Sequence, residues 1–507
     1  MSIDIAGRVS AAQERHKDHR WLALAVIGVA QLMIILDASI VTIALPHAQQ
    51  ALDISDANRQ WVQTAYTLAF GGLLLLGGRI ADYFGRKRTL IIGLLGFAAA
   101  SALGGFAQSA GWLFGARALQ GALAALLAPA VLALITTTFT EPKERAKAFG
   151  VYGAISGTGA AIGLIAGGAL TEYWSWRWTL FVNVPIAIGV ALAAIPVIRE
   201  SRATGDRRYD VPSALIGTAG LVTLVYGFTE ASIHSWGAPL TIALLVASVV
   251  LLAGFVAWER RAPNPLLPLR IVLDRNRGGS FLAFLLATLG MFAVFLFLTY
   301  YFQGVLGWSP LKSGFAFLPF PLGVITSATL ASRFLPRFGP RPLAVAGFTM
   351  GTLGLLWLTQ LEAGSSYAGH IVPSMVLISL GMGQVFVALS STALLGVPDH
   401  DAGVASALVN TTQQIGGSLG VAFLNTIATN ATVSYAADHG GTSPAAVVHG
   451  FTTAFGFSAG IFAVATIAVA LLVRARRGDL TGPDAGPTGE GDTDPGNERR
   501  PEPAFAG

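Results

Sequence analysis

Asp37 stands where a carboxylate can do proton chemistry. Sixteen uncharged, mostly apolar residues, Trp21 to Leu36, precede it, and Ala-Ser-Ile-Val-Thr-Ile-Ala-Leu leads on to Pro46. The stretch can span a bilayer, which takes about 20 apolar residues. At ~1.5 Å per residue, Asp37 lies roughly 24 Å from Trp21, inside the hydrocarbon. An acid there costs about 2.5–3.5 kcal/mol on insertion scales and is functional by default. The other reading is a packing residue paired with a polar neighbour. Arg117 is the second such group. It opens Arg117-Ala-Leu-Gln120-Gly121, about one and a half turns into the run that begins at Trp112. It needs a partner, a carbonyl or an aqueous cavity, unless it snorkels to the headgroups. Gln120, three residues on, shares its face.

The remaining intramembrane polar groups are uncharged. Gln31, Gln120, Gln384, Asn410 and Gln414 are the candidates for a substrate cavity. Asn410, Gln413 and Gln414 stand on one helical face, and Asn425 follows in the same run. Interhelical hydrogen bonding accounts for such groups equally well. The last six apolar runs hold no Asp or Glu in their interiors. The acids of any central site are therefore Asp37 and, near the outer end of the seventh run, Glu230.

These groups need a membrane scaffold, and composition supplies one. The 507 residues are 53% hydrophobic and 12% charged, with a mean hydropathy of +0.62. This describes an all-α polytopic membrane protein. Fourteen spans are expected, at 21–45, 59–77, 89–108, 112–136, 146–170, 177–198, 212–231, 238–258, 279–303, 313–334, 342–361, 368–395, 403–429 and 450–473. The first 20 residues are polar, so no cleavable signal is expected. Residues 478–507, rich in Gly, Pro, Asp and Glu, read as a disordered tail. With both termini placed in the cytoplasm, 28 of the 32 Lys/Arg residues fall inside. Arg59, Arg177 and Lys312 fall outside, and Arg117 lies within a span. That split follows the positive-inside rule, so the net charge of +5 marks topology and not a nucleic-acid surface. There are no cysteines, and the eight histidines are scattered, so no metal or other cofactor is expected. No Gly-x4-Gly-Lys-Ser/Thr loop is present, which argues against an ATP-driven pump, and nothing suggests an enzyme.

A repeat organises the spans. Arg79, Phe84, Gly85 and Lys87 match Arg333, Phe338, Gly339 and Arg341 at one offset, 254 residues. The expected units are a cytoplasmic lead (1–20), a six-helix half (21–198), two inserted helices with their linkers (199–277), a second six-helix half (278–477) and the tail (478–507). Parallel six-span repeats place a substrate site at the midplane between the halves.

The first copy of that loop is Gly78-Arg-Ile-Ala-Asp82-Tyr-Phe-Gly85-Arg86-Lys87-Arg88. Its glycines suit a tight turn and close helix approach, and Asp82 can latch a basic neighbour or cap a helix. The loop resembles the signature of the major facilitator superfamily. Asp37 to Pro46 resembles the first-span motif of its fourteen-span drug:proton antiporter branch. The resemblance extends to Trp176-Arg177-Trp178, Asn183-Val-Pro185 and Tyr300-Tyr301-Phe302-Gln303. It implies that Asp37 and Arg117 couple protons to transport, the cation favouring proton release. It also implies that Gly78, Asp82, Gly85, Arg86 and Arg88 form a conformational-switch loop. Gly150, Gly159, Gly163, Gly167 and Gly168 match the branch's antiporter motif in span 5, where small residues allow close packing. Leu164 replaces that motif's proline, so span 5 should run straight; a glycine face against the second half is expected. The function implied is export of amphipathic small molecules, antibiotics or dyes, in exchange for protons, by a monomer in the cell membrane. Proton-coupled uptake, or looser-coupled transport of a small metabolite, is the alternative that Leu164 keeps open.

Overall fold

The computed structural model describes residues 2–139, 141–202, 210–262, 265–267, 269–397, 402–441 and 443–475; the expected tail at 478–507 lies outside them. Every regular element among the described residues is helical. The long helices are α1 (Ser2–Ala51), α2 (Trp61–Phe84), α3 (Arg86–Gly105), α4 (Ala110–Thr138), α5 (Pro142–Tyr173), α6 (Trp178–Val197, broken at Val182) and α7 (Val211–Ile233). They continue as α8 (Pro239–Glu259), α9 (Arg275–Tyr300), α10 (Pro319–Phe338), α11 (Pro340–Leu358), α12 (Val372–Ala393), α13 (Ala402–Asp438) and α14 (Pro444–Leu472).

Local chemistry fixes several boundaries. Ser109 and Asp274 accept the backbone N–H groups of Trp112 and Arg277, capping α4 and α9. Gly85 (φ +123°) and Gly339 (φ +79°) divide α2 from α3 and α10 from α11, in conformations that L side chains rarely adopt. The first helix differs from expectation at both ends. Its polar lead is helical from Ser2, and it runs on through Pro46 to Ala51.

Among the described residues, eleven helices are long and apolar enough to cross a bilayer. α2, bent by 56° around Leu75, makes a twelfth if its two parts are one span. The sequence count was fourteen. α5 and α13 are long but fall outside this set; in α13, serine, threonine, asparagine and glutamine dilute the apolar content. Elsewhere the surface is turned outside-in. α8 exposes Leu240, Ile242, Val246, Val249 and Val250 and buries Thr241, Ser248 and Glu259. Apolar residues outside and polar ones inside suit a lipid solvent.

The helix pairing repeats along the chain. α1 packs on α5, α2 on α4, α3 on α4 and α3 on α6; in the same order, α9 packs on α13, α10 on α12, α11 on α12 and α11 on α14. α7 and α8 pack on each other, and α7 lies against α2 and α13. Helices α1–α6 meet α9–α14 mainly along α2 and α13 and between α5 and the short helix Pro310–Ala316. Most polar ties across this junction lie toward the end of the bundle away from the 78–88 loop, and one, between Thr67 Oγ1 and Ser418 Oγ (2.6 Å), lies further along α2, near the middle of α13. Arg59 Nε donates to Asn425 Oδ1 (3.2 Å), and Gln303 Nε2 donates to the Ile43 carbonyl (2.9 Å). The Leu311 N–H donates to Glu172 (3.0 Å), and the Arg59 guanidinium lies 4.1 Å from the Tyr300 ring centroid.

Candidate functional site

Four helices bring one polar cluster together inside an apolar bundle. α1 supplies Asp37, α3 Ser101, α4 Arg117 and Gln120, and α6 Asn183. Asp37 is 0% and Arg117 1% exposed, and Ser101, Gln120 and Asn183 are fully buried. Arg117 Nη1 donates to Asp37 Oδ2 at 2.6 Å and to Gln120 Oε1 at 2.9 Å. Its Nε donates to the Val62 carbonyl at 3.0 Å, and its guanidinium lies 4.5 Å from the centroid of the Tyr66 ring. Asp37 Oδ1 accepts from Gln120 Nε2 (3.1 Å) and Asn183 Nδ2 (2.8 Å). Both amides also donate to Ser101 Oγ, at 2.6 and 3.1 Å.

The arrangement settles how these charges are tolerated. Arg117 does not snorkel; it is paired, bonded to a carbonyl and stacked on an aromatic ring. Desolvation makes such a pair weak as a source of net stability, yet losing one partner costs about 3–5 kcal/mol. A buried pair with three further donors or acceptors is thus a site where gain or loss of one proton changes the balance of the whole cluster.

Gly121 lets α2 come this close. A Cβ there would stand 2.9 Å from the Tyr66 carbonyl carbon. The close approach expected at Gly78 belongs to its neighbour Gly77, where a Cβ would meet the Ala125 carbonyl carbon at 2.6 Å; at Gly78 the nearest atom, on Pro129, is at an ordinary 3.5 Å.

The loop between α2 and α3 is clamped from two sides. Arg86 binds Asp82 through Nη2 (2.7 Å) and Nε (3.1 Å). Asp82 therefore latches a basic neighbour and leaves the helix cap to a residue not singled out in the sequence, Glu200. The Glu200 carboxylate accepts the N–H groups of Lys87 (3.1 Å) and Arg88 (3.2 Å) at the start of α3, with the Arg88 guanidinium 3.7 Å away. It lies on Gly85, where a Cβ would stand 2.7 Å from it.

The glycines of α5 pack differently from expectation. Gly159, Gly163 and Gly167 lie on α1, against Ile35, Ser39 and Ile40, and not on the second half. Gly168 is the member that reaches across, with a Cβ position 2.6 Å from Leu311 Cα. Gly150 lies on the helix near its start. Leu164 is buried, and its carbonyl is what the glycine at 314 makes room for. α5 is continuous through it.

The expected cavity residues are dispersed. Gln120 spends its amide on Asp37, Ser101 and Arg117. Gln31 is buried, and its Oε1 has no partner. Gln384 donates to the Leu380 carbonyl and Asn410 to that of Ser406. Gln414 packs against Gly71 of α2. Among the described residues there is no group of three or more His, Asp or Glu that could hold a metal ion.

Known proteins resemble this chain over most of its length. It is 52% identical over 475 residues to a puromycin resistance protein of Streptomyces alboniger, covering 92% of this chain and 94% of that one. It is 38% identical over 459 residues to a cephamycin export protein of Amycolatopsis lactamdurans (90% and 93%). It is 34% identical over 419 residues to a lincomycin resistance protein of Streptomyces lincolnensis (82% and 86%). A bacterial homolog of the human lysosomal transporter Spinster, solved in an inward-facing and occupied conformation, shares the fold. Its TM-score is 0.62 at 15% identity, over 91% of this chain and 98% of that one. The family description that fits residues 27–421 is the Major Facilitator Superfamily. With relatives that are antibiotic resistance and export transporters, this chain is a multi-pass membrane transporter and not an enzyme, and it belongs to the Major Facilitator Superfamily.

Proposed function

We propose that this transporter exports amphipathic small molecules across the cell membrane in exchange for protons. The observation that carries this reading is the fully buried Asp37–Arg117 pair, held by Gln120 and Asn183 within one cluster. A carboxyl so placed exchanges a proton at the cost of reorganising its cradle, and that links protonation to helix position. At roughly 100 mV one proton charge supplies ~2.3 kcal/mol, enough for about a fifty-fold gradient of a neutral substrate.

The scaffold reading follows. α5 and α13 count as spans because each is long and packed along other helices of the bundle, α5 on α1 and α13 on α9 and α2, which makes fourteen spans with both termini cytoplasmic. α1–α6 and α9–α14 are two related halves, supported by their matching pairings, and α7 and α8 are the insert. With the 78–88 loop on the cytoplasmic side, the Arg59, Gln303 and Leu311 ties lie toward the outer end, which supports reading this conformation as inward-facing. Asp82, Arg86 and Arg88, with Glu200, then form the cytoplasmic switch loop. Puromycin is the first probe, because a 52% identical relative confers resistance to it. Everted vesicles holding the transporter should accumulate puromycin when energised and lose it on adding an uncoupler. Accumulation indifferent to the uncoupler would remove the proton from the account.

A further inference from the structure

One polar atom in the Asp37 cluster is left over. Asn183 is fully buried, yet its Oδ1 has no hydrogen-bond partner, although its Nδ2 donates to both Asp37 and Ser101. A buried acceptor left unpaired is costly, so the atom needs a reason. The cluster as it stands is built for an anion. Three groups donate to Asp37, and none accepts from it. A protonated Asp37 must itself donate, and therefore needs an acceptor.

Geometry selects which group provides it. Oδ2 faces the Arg117 guanidinium at 2.6 Å, so an added proton belongs on Oδ1. Oδ1 faces two amides. Gln120 cannot turn, because its Oε1 accepts from Arg117 at 2.9 Å and a turn would set an NH2 group against the cation. Asn183 can turn, since its Oδ1 forfeits no bond. The two ends of an amide have nearly the same shape, and the torsion that exchanges them is soft. A half turn brings Oδ1 to the place Nδ2 now holds, 2.8 Å from Asp37 Oδ1 and 3.1 Å from Ser101 Oγ. There it accepts the new O–H of Asp37 and the hydroxyl proton of Ser101, which is free to rotate.

We propose that Asn183 is a positioning residue that serves both protonation states of Asp37, its Nδ2 donating to the carboxylate and, after a half turn, its Oδ1 accepting from the acid. This rests on Asp37 being the proton carrier. The step balances simply: a proton from solvent forms one O–H bond at Oδ1, and the same bond breaks on release. Without the turn, the acid O–H would point at an N–H.

The test is infrared difference spectroscopy on the lipid-reconstituted protein between high and low pH, with asparagine 13C-labelled at the side-chain carbonyl. A protonated-carboxyl band that disappears in Asp37→Asn reports the carrier. Alongside it, the labelled amide carbonyl band should move to lower frequency on acidification, as Oδ1 gains two donors, and Asn183→Leu should remove that movement. A carrier band with a motionless amide band overturns the switch and leaves the carrier standing. A missing carrier band overturns both. Transport gives a second readout. Asn183→Leu should slow kcat by about tenfold or more with little change in KM, as expected for losing a hydrogen bond to a charged group. Asn183→Thr, whose hydroxyl both donates and accepts, should recover part of that loss. Wild-type kcat in Asn183→Leu also overturns it.

Discussion

Helices α1–α6 and α9–α14, the two proposed halves, have matching pairings and different interiors. In the first, Asp37, Ser101 and Arg117 are buried together and bonded. At the offset set by the loops, 254 residues on, the second half has Met291, Leu355 and Ile371, all equally buried. Its core is aromatic instead: Phe297 stacks on Phe451 at 5.2 Å, and Phe348 meets Phe462 edge-on at 5.6 Å. One pattern of pairing thus holds a buried ion pair on one side and an aromatic core on the other. On the proposed reading, a change of protonation acts on α1, α3, α4 and α6 and, through the Val62 carbonyl and the Tyr66 ring, on α2.

That asymmetry can be broken in order of severity. Asp37→Asn keeps the shape of the side chain and removes the exchangeable proton; proton-driven export should fall by about a hundredfold or more. Its expression should persist, because Arg117 keeps the Val62 carbonyl, Gln120 and the Tyr66 ring. Met291→Asp asks whether the second half tolerates an acid. With apolar neighbours and no arginine it should cost about 3 kcal/mol or more, seen as a lowered Tm in detergent, and should not rescue Asp37→Asn. Recovery of export in that double variant would mean that the halves are interchangeable.

Smaller changes sharpen the comparison. Arg117→Lys keeps the charge and loses the fork that reaches Asp37, Gln120 and Val62 together; turnover should drop by about tenfold. The smallest contrast is between the paired loops. Gly85→Ala forces a side chain into φ +123° and onto Glu200, whereas Gly339→Ala meets φ +79°. Both should destabilise, by about 1–3 kcal/mol, and the Gly85 variant by more in thermal unfolding. An equal loss would mean that the Glu200 clamp carries no weight.

Much of this was legible in the residues. An acid and an arginine inside apolar runs have few ways to be satisfied, so Asp37 and Arg117 pointed to each other across 80 positions. Gln120 shared the arginine's helical face, and the paired glycines marked the loop turns. What stayed hidden depended on helix neighbours. Asn183 and Ser101 are uncharged and lie 146 and 64 residues from Asp37, and such polar groups fit many partners. Glu200 reads as an ordinary surface acid until α6 brings it to the start of α3. A glycine face announces close packing but not its partner, and for α5 the partner is α1. Hydropathy also understates α13, whose serine, threonine, asparagine and glutamine lower its apolar content although it packs on α2, α9 and α14.

The central claim is that Asp37 trades its proton for substrate, and proton release measures that directly. Purified transporter in weakly buffered detergent solution is mixed with puromycin while a pH-sensitive dye is followed. The wild type should release protons on binding in a saturable way, and Asp37→Asn should release none while still binding the probe. Equal release from the two proteins would contradict the account.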